Sequence, residues 1–209
     1  MSIQQAYNEW SDSYDIDKNL TRDLDQKVTR EMLVNLHFGS ILELGCGTGK
    51  NTSFYSQIGK KVHAVDLSEG MIEKAKEKVK SANVYFSIMD MTKKWTLDDR
   101  TYDLIVCNLV LEHIEDLSFI FSEAARVLQN NGRFFINELH PFRQYSGKKA
   151  RYQKDGEEIE VDAFLHHISE FLQAATNSGL SLIKLNEYWH EEDQNKPPRI
   201  VSFLFEKVH

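Results

Sequence analysis

The segment from Glu43 to Gly49, ELGCGTG, combines residue types and spacing that suit the binding of a small ligand. It contains three glycines at alternating positions, directly after an acidic residue and a short apolar run. Because glycine has no Cβ atom, the backbone of such a turn can pass close beneath a ligand. Glycine-rich turns after a strand hold several ligand classes, and each class has its own glycine spacing.

Two of these classes fit the segment poorly. The phosphate-binding loop requires a glycine, four residues and then Gly-Lys-Ser/Thr, but the chain has Leu44 and Asn51 at two of these positions. The dinucleotide fingerprint GxGxxG requires a third glycine where Lys50 stands, although Asp66 supplies the acid expected after the next strand. A nicotinamide-dependent oxidoreductase therefore stays open only as a weak alternative.

The whole segment fits a third pattern, Glu-x-Gly-x-Gly-x-Gly. The amides of the turn and of the following helix N-terminus favour a carboxylate, while Glu43 is available to an ammonium group. With these residues the chain resembles the class I S-adenosylmethionine-dependent methyltransferases. The resemblance covers roughly the whole chain at the level of fold, and its specific motifs lie between Glu43 and His113.

The resemblance implies a set of contacts with the cofactor. Asp66 would bind both ribose hydroxyls, Asp90 would accept from the adenine amine, and Tyr14 would belong to a lid over the cofactor. Met71 would flank the adenine, but a methionine in the core on the same helix would look identical in the sequence. The full set of expected cofactor-binding residues is Tyr14, Glu43, Gly45, Cys46, Gly47, Gly49, Asp66, Leu67, Met71, Asp90, Met91, Cys107 and Asn108.

Histidines are the candidates for proton chemistry. Methyl transfer from a sulfonium needs alignment and the exclusion of water, and some acceptors also need a base. His113 and His140 follow predicted strands, so both are expected at the ligand-binding edge of the sheet as catalytic bases. His166, His167 and Tyr152 are expected to contact the acceptor. A structural hydrogen-bonding role competes for each histidine, and for His140 a role in the turn before Pro141 competes directly.

Short apolar, β-branched segments alternate with helical patterns along the chain, which predicts parallel βαβ units. The expected fold is α/β, with a doubly wound, mostly parallel seven-stranded sheet and helices on both faces. Because the last two strands follow each other without a helix, one edge strand is expected to be antiparallel. The predicted strands are 41–44, 61–65, 84–88, 103–107, 133–139, 181–185 and 200–206.

Two segments lie outside this alternation within a single predicted domain, residues 1–209. Residues 1–38 are helical and partly amphipathic, and we expect them to form a lid. Residues 142–165 contain the turn signal Asp155-Gly156 and are expected to form a β-hairpin cap over the site. The basic half of this hairpin is either internally paired with its acidic half or forms a clamp for an anionic substrate.

The composition excludes several functional classes. The net charge is −7, which argues against broad binding to a nucleic acid backbone. No apolar run approaches the roughly 20 residues that span a bilayer, and the N-terminus does not resemble a targeting sequence. Two cysteines give neither a disulfide framework nor metal-ligand spacing, so we expect reduced thiols, no metal and a cytoplasmic protein.

We therefore expect an enzyme that transfers a methyl group from S-adenosylmethionine to a small-molecule acceptor, leaving S-adenosylhomocysteine. The sequence leads us to expect neither a nucleic acid nor a membrane partner, and it leaves the oligomeric state and the methylated atom open. A non-catalytic sensor or scaffold that binds the same cofactor is the main alternative, because intact cofactor motifs do not separate binding from catalysis.

Overall fold

The computed structural model describes residues 2–16, 18–147, 150–154 and 157–208, with only the backbone of 152–154 and 157–158. The predicted turn at Asp155 and Gly156 lies outside these residues. The helices are α1 (Ile3–Trp10), α2 (Leu20–Leu33), α3 (Thr52–Ile58), α4 (Glu69–Lys78), α5 (Leu117–Val127), α6 (Pro141–Tyr145) and α7 (Ile168–Asn177). The strands are β1 (Phe38–Leu44), β2 (Gly59–Asp66), β3 (Val84–Ile88), β4 (Tyr102–Asn108), β5 (Leu128–Leu139), β6 (Arg151–Lys154), β7 (Glu157–Glu160), β8 (Leu180–Tyr188) and β9 (Ile200–Lys207).

Seven strands form one mixed sheet in the order β3-β2-β1-β4-β5-β9-β8, which confirms the predicted fold class. The five strands from β3 to β5 are parallel, and β9 runs antiparallel to both β5 and β8. The antiparallel strand thus lies one position inside the edge. Strand order reverses between β1 and β4, and such a switch point opens a crevice at the carboxyl ends of the strands.

The central strands are apolar on both faces because helices cover both sides of the sheet. Leu104 and Val106 of β4 pack toward α3, whereas Ile105 and Cys107 pack toward α5. This alternation follows from the two-residue period of a strand. It leaves polar side chains mainly at the strand ends, where the crevice lies.

A buried carboxylate on α2 connects this helix to the carboxyl edge of the sheet. Asp25 accepts hydrogen bonds from the side-chain amides of Asn108 (2.6 Å) and Asn137 (2.9 Å) through one oxygen and of Asn51 (2.8 Å) through the other. Burial raises the pKa of Asp25, and these three hydrogen bonds oppose the rise. The network fixes α2 over the ends of β4 and β5.

Helix α1 is attached to the same edge by polar contacts with the loop after β2. The Gln4 amide donates to the Leu67 carbonyl oxygen at 3.1 Å. The Asn8 side-chain oxygen accepts from the Ser68 hydroxyl at 2.6 Å and from the Gly70 amide at 3.2 Å. The N-terminal segment therefore covers part of the crevice, and its predicted helical character is borne out in α1 and α2.

The segment after β5 begins with a short helix, α6, that the sequence pattern did not predict. Its backbone then forms β6 and β7, which pair as the expected antiparallel hairpin. Val161, directly after β7, packs against Ala6 and Trp10 of α1. Over the described ranges, no helix has both the length and the apolar character needed to cross a membrane.

We predict that Asp25→Ala lowers the free energy of unfolding by at least about 2 kcal/mol, because it removes the carboxylate that accepts from three amide groups. Asn108 and Asn137 keep a hydrogen bond to the Thr29 hydroxyl, whereas the Asn51 amide loses its acceptor. Asp23→Ala is the matched control, since Asp23 lies on the same helix and makes only an exposed ion pair with Lys50. Loss of that pair is expected to cost about 0–1 kcal/mol. Urea unfolding of both variants measures the difference, and equal effects would contradict the proposed importance of the network.

Candidate functional site

Three adjoining cavities lie at the carboxyl edge of the sheet. The Asp66 cavity, with Asp90 and Ile114 in its wall, encloses about 750 Å³ including space open to solvent. The Arg143 cavity is lined by Glu112, Arg143 and Arg199 among others, and encloses about 910 Å³ on the same measure. The Glu43 cavity is lined by Glu43, Cys46 and Asn51 among others and encloses about 480 Å³. These sizes are within or close to the range of small-molecule sites.

The three cavities share walls. Tyr14 and Leu109 line all of them, and Tyr7 lies between the Asp66 and Arg143 cavities. Leu109 follows β4 with a φ of +56°, and its amide donates to the Asn137 carbonyl oxygen at 2.8 Å. A ligand that occupies both the Asp66 and the Glu43 cavity would therefore pass Tyr14 and Leu109, next to the Arg143 cavity.

The glycine turn forms the floor between the Asp66 and Glu43 cavities. Gly45 has a φ of +69°, and a Cβ atom there would lie 2.3 Å from Val110 Cγ2. Gly47 has a φ of +52°, and a Cβ atom there would project into open space. Gly49 instead lies against Ala75 of α4 and lines none of the three cavities. The absence of side chains at Gly45 and Gly47 thus leaves space for a ligand above the turn. Gly49 instead allows α4 to pack closely against the turn.

The Asp66 cavity has an acidic group at each of two strand ends. Asp66 accepts from the backbone amides of Gly47 (2.8 Å) and Ser68 (2.9 Å), and burial raises its pKa against these hydrogen bonds. Asp90 is partly buried, which opposes ionisation, but hydrogen bonds from Thr92 and Lys93 hold its pKa below the usual value. Leu67 and Met91 add apolar wall beside these acids.

The Glu43 cavity contains groups of both charge signs. Glu43 accepts from the Thr52 hydroxyl at 2.6 Å, and burial raises its pKa to about 8. Arg22 of α2 lies in the same wall, with its guanidinium 4.1 Å from the centre of the Tyr14 ring. Together with Asp25, these residues complement an amino acid, whose carboxylate would face Arg22 and whose ammonium would face the acids. Neither Arg22 nor Asp25 was among the residues predicted from the sequence.

His113 is the one candidate histidine that lines a cavity wall. Its Nδ1 lies 2.8 Å from the Asp162 carbonyl oxygen, and its Nε2 lies 2.8 Å from the Tyr7 hydroxyl. Because a carbonyl oxygen only accepts, Nδ1 carries the hydrogen in the neutral ring and Nε2 accepts from Tyr7. The Tyr7 hydroxyl is thereby oriented at the wall between two cavities.

The other three histidines make structural contacts and line none of the three cavities. His140 Nδ1 accepts from the Phe142 amide and caps α6, while its Nε2 lies 2.8 Å from Glu187. His166 Nε2 donates to the Ile114 carbonyl oxygen at 2.7 Å, and the His167 ring contacts the Tyr145 hydroxyl. The expectation that His140 faces the site as a base, and that His166 and His167 contact the acceptor, is corrected by these contacts.

Three expected cofactor residues line none of the three cavities. Met71 and Cys107 are fully buried in the core, and Gly49 packs against α4. The other ten expected residues lie at cavity walls: Tyr14, Glu43, Gly45, Cys46, Gly47, Asp66, Leu67, Asp90, Met91 and Asn108. The Tyr152 side chain lies outside the described part of the chain.

We predict that Glu43→Gln reduces the loss of stability between about pH 5 and about pH 8. A carboxyl whose pKa is raised by folding stabilises the fold below its unfolded pKa, and this contribution is lost as the pH rises toward about 8. Burial also raises the pKa of Glu138 to about 8, so part of the decline in stability with pH remains in the variant. Urea unfolding at both pH values measures the free energy of unfolding. Glu31→Gln, at an exposed position, is the control. Identical pH dependence in the parent and in Glu43→Gln would contradict the assignment.

Comparison with known proteins agrees with this geometry. A model of the methyltransferase domain matches residues 42–136. The malonyl-[acyl-carrier protein] O-methyltransferase of Yersinia pestis is 28% identical over 82% of this chain and 60% of its own. The chain spans about 60% of the length of several such curated relatives.

Solved structures share the fold. A methyltransferase from Mesorhizobium loti has a TM-score of 0.73 and 19% identity, and the match covers 87% of this chain and 96% of that one. DhpI in complex with S-adenosylhomocysteine has a TM-score of 0.75 and 20% identity, and the match covers 98% of this chain and 95% of that one. Residues 42–136 thus match a methyltransferase domain, and the sheet order and the solved structures show that the chain has the fold of S-adenosylmethionine-dependent methyltransferases.

Proposed function

We propose that this protein transfers the methyl group of S-adenosylmethionine to a small-molecule acceptor bound in the Arg143 cavity. The observation that carries the proposal is that all three cavities meet at Tyr14 and Leu109. The sulfonium joins the adenosine and amino-acid halves of the cofactor. If these halves occupy the Asp66 and Glu43 cavities, the methyl group lies at the junction and faces the Arg143 cavity.

The residues of the two cofactor cavities fit this placement. The Asp66 carboxylate suits the ribose hydroxyls, and Asp90 suits an exocyclic amine beside the apolar Met91. Arg22 and Glu43 suit the two charges of the amino-acid end. The open space above Gly47 leaves room for a ligand over the turn.

The contribution of the chain is alignment in a cavity from which water is excluded. The bound cofactor supplies a methyl group that its sulfonium has already activated. Tyr7 and Tyr14 place aromatic rings at the junction, and the hydrogen bonds of Gln4 and Asn8 hold α1 over it. We propose that the N-terminal segment acts as the lid and that residues 142–165 form the cap that shapes the acceptor site.

An acceptor that must lose a proton finds a route through Tyr7 and His113. The Tyr7 hydroxyl lies at the wall between the Asp66 and Arg143 cavities, and His113 Nε2 accepts its hydrogen. A proton leaving the acceptor would reach the Tyr7 oxygen while the Tyr7 proton passes to His113. We propose His113 as the base of this pair, and His140 has no part in it.

The size of the Arg143 cavity, about 910 Å³ including space open to solvent, supports an acceptor of small-molecule size. The test is to incubate the protein with a cell extract and a deuteromethyl-labelled cofactor, and to search by mass spectrometry for a metabolite with the corresponding mass shift. The expected result is a labelled small molecule. Cofactor binding without any labelled product would favour the sensor or scaffold alternative.

We predict that Asp66→Ala weakens the binding of S-adenosylhomocysteine at least about tenfold, because two hydrogen bonds to a charged group are lost at about 1.5–3 kcal/mol each. Asp103→Ala is the matched control. Asp103 also accepts from two backbone amides, those of Gly39 and Ser40, but at the opposite end of the sheet. Calorimetric titration measures both variants, and an unchanged dissociation constant in folded Asp66→Ala would place the ribose elsewhere.

We predict that His113→Ala lowers turnover about 10²–10⁴-fold while cofactor affinity is retained, if the acceptor loses a proton during transfer. Tyr7→Phe should reduce turnover in the same direction because it removes the hydroxyl between the cavities. His63→Ala is the control, since His63 also contacts two hydroxyl groups, but on β2 outside the three cavities. Turnover of the identified acceptor within a few-fold of the parent in His113→Ala would show that transfer needs no such base.

A further inference from the structure

We infer that the Arg143 cavity recognises an acceptor that carries an anionic group, a carboxylate or a phosphate, and that Arg143 is the residue that holds this group. The inference rests on the proposed function, because it identifies the chemical class of the acceptor. It comes from charged groups on α6, on the short 3₁₀ turn Glu191–Asp193 and before β9, none of which the cofactor cavities use.

Arg143 is a buried cation in the wall of this cavity. The residue is 7% exposed, and its Nε donates to the Pro198 carbonyl oxygen at 3.3 Å. Its Nη2 forms an ion pair with Asp193 Oδ1 at 2.9 Å. A ligand anion in the cavity would face a guanidinium that the fold already holds in place.

The neighbouring carboxylate, that of Asp193, also pairs with a second arginine, Arg199. Asp193 accepts from Arg199 Nε at 2.6 Å and Nη2 at 2.5 Å, a two-point arrangement that is strong for a guanidinium and a carboxylate. Burial opposes ionisation of Asp193, but Arg199 and then Arg143 hold its pKa well below the usual value. Two guanidinium groups, those of Arg143 and Arg199, thus share the single carboxylate of Asp193, which leaves a net positive charge at this wall.

The other residues that line the Arg143 cavity keep its net charge positive. Lys196 adds a cation at the exposed side, and Glu112 is the single carboxyl that lines the cavity within the described residues. Even with Glu112 ionised, four cations (Arg22, Arg143, Lys196 and Arg199) face the carboxyl groups of Glu112 and Asp193. Burial also raises the pKa of Glu112, which favours its neutral form. Trp10 and the two shared tyrosines give the remaining wall an aromatic character. The cavity therefore suits an apolar or aromatic body with an anionic group.

Glu112 also defines the competing possibility. Its Oε2 is buried without a hydrogen-bond partner among the described residues, so an amine acceptor would be expected to bind there instead. The two possibilities differ in the charge of the ligand and in the residue on which binding depends. The cation excess favours the anion.

The experiment measures binding to the protein saturated with S-adenosylhomocysteine, so that the cofactor cavities are filled. Calorimetric titration uses four probes with the same chain: hexanoate, hexyl phosphate, hexanamide and hexylamine. We expect one or both anions to bind, and the amide and amine to bind at least about tenfold more weakly. The order of hexanoate and hexyl phosphate distinguishes a carboxylate from a phosphate.

Three variants assign the effect to Arg143. Arg143→Met should weaken binding of the preferred anion at least about tenfold, and Arg143→Lys should retain part of it because the positive charge remains. Arg133→Met is the matched control, since Arg133 lies near the start of β5 and pairs with Glu206 away from the site. Unchanged affinity for S-adenosylhomocysteine in all three variants shows that the fold is intact.

The inference is overturned if hexylamine or hexanamide binds as tightly as the anions, if neither anion binds, or if the preferred anion binds equally to Arg143→Met and the parent. Tight amine binding that is lost in Glu112→Gln would assign the cavity to amine acceptors. Failure of the parent to bind S-adenosylhomocysteine would instead contradict the proposed function itself, so the two failures are distinguishable.

Discussion

The buried carboxylate of Asp25 is the interaction on which the arrangement of the site depends. It accepts from three amide side chains that belong to the N-cap of α3, to the end of β4 and to β5. A buried charge is unfavourable without such partners, so the partners and α2 hold one another in place. Arg22 lies three residues before Asp25 and therefore on the same face of α2. The network that fixes the helix also positions the guanidinium over the Glu43 cavity.

The three cavities divide the chemistry of the site by charge. The Asp66 cavity presents two acids at strand ends, the Glu43 cavity presents both signs, and the Arg143 cavity has an excess of cations. They share a wall because Leu109 adopts a left-handed backbone conformation directly after β4, where the chain turns away from the sheet. The N-terminal segment contributes two aromatic residues to these walls: Tyr14 lines all three cavities, and Tyr7 lines the Asp66 and Arg143 cavities.

The sequence predicted the parts of the structure that depend on local patterns. All seven strands of the main sheet were identified, because β-branched runs between helical patterns are a local signal. In the glycine turn, Gly45 and Gly47 line the cavities, whereas Gly49 packs against α4. Arg22 and Asp25 were missed, because they reach the site only when distant segments fold together and no local pattern marks them. Arg143 belongs to the basic half of residues 142–165, for which the sequence left a clamp on an anionic substrate open. The histidines at 140, 166 and 167 were misjudged because their ring nitrogens are used by nearby backbone or side-chain groups, which depends on loop geometry that the sequence does not display. A Pro141 directly after a histidine cap was the available signal for α6.

The central claim is that the cofactor lies across the Asp66 and Glu43 cavities with its sulfur at the wall formed by Tyr14 and Leu109. A crystal structure of the complex with S-adenosylhomocysteine tests this most directly. The account predicts ribose hydroxyls within hydrogen-bond distance of Asp66, a carboxylate beside Arg22, and a sulfur atom facing the Arg143 cavity. A sulfur atom separated from the Arg143 cavity by protein, or an adenine ring in the Glu43 cavity, would contradict it.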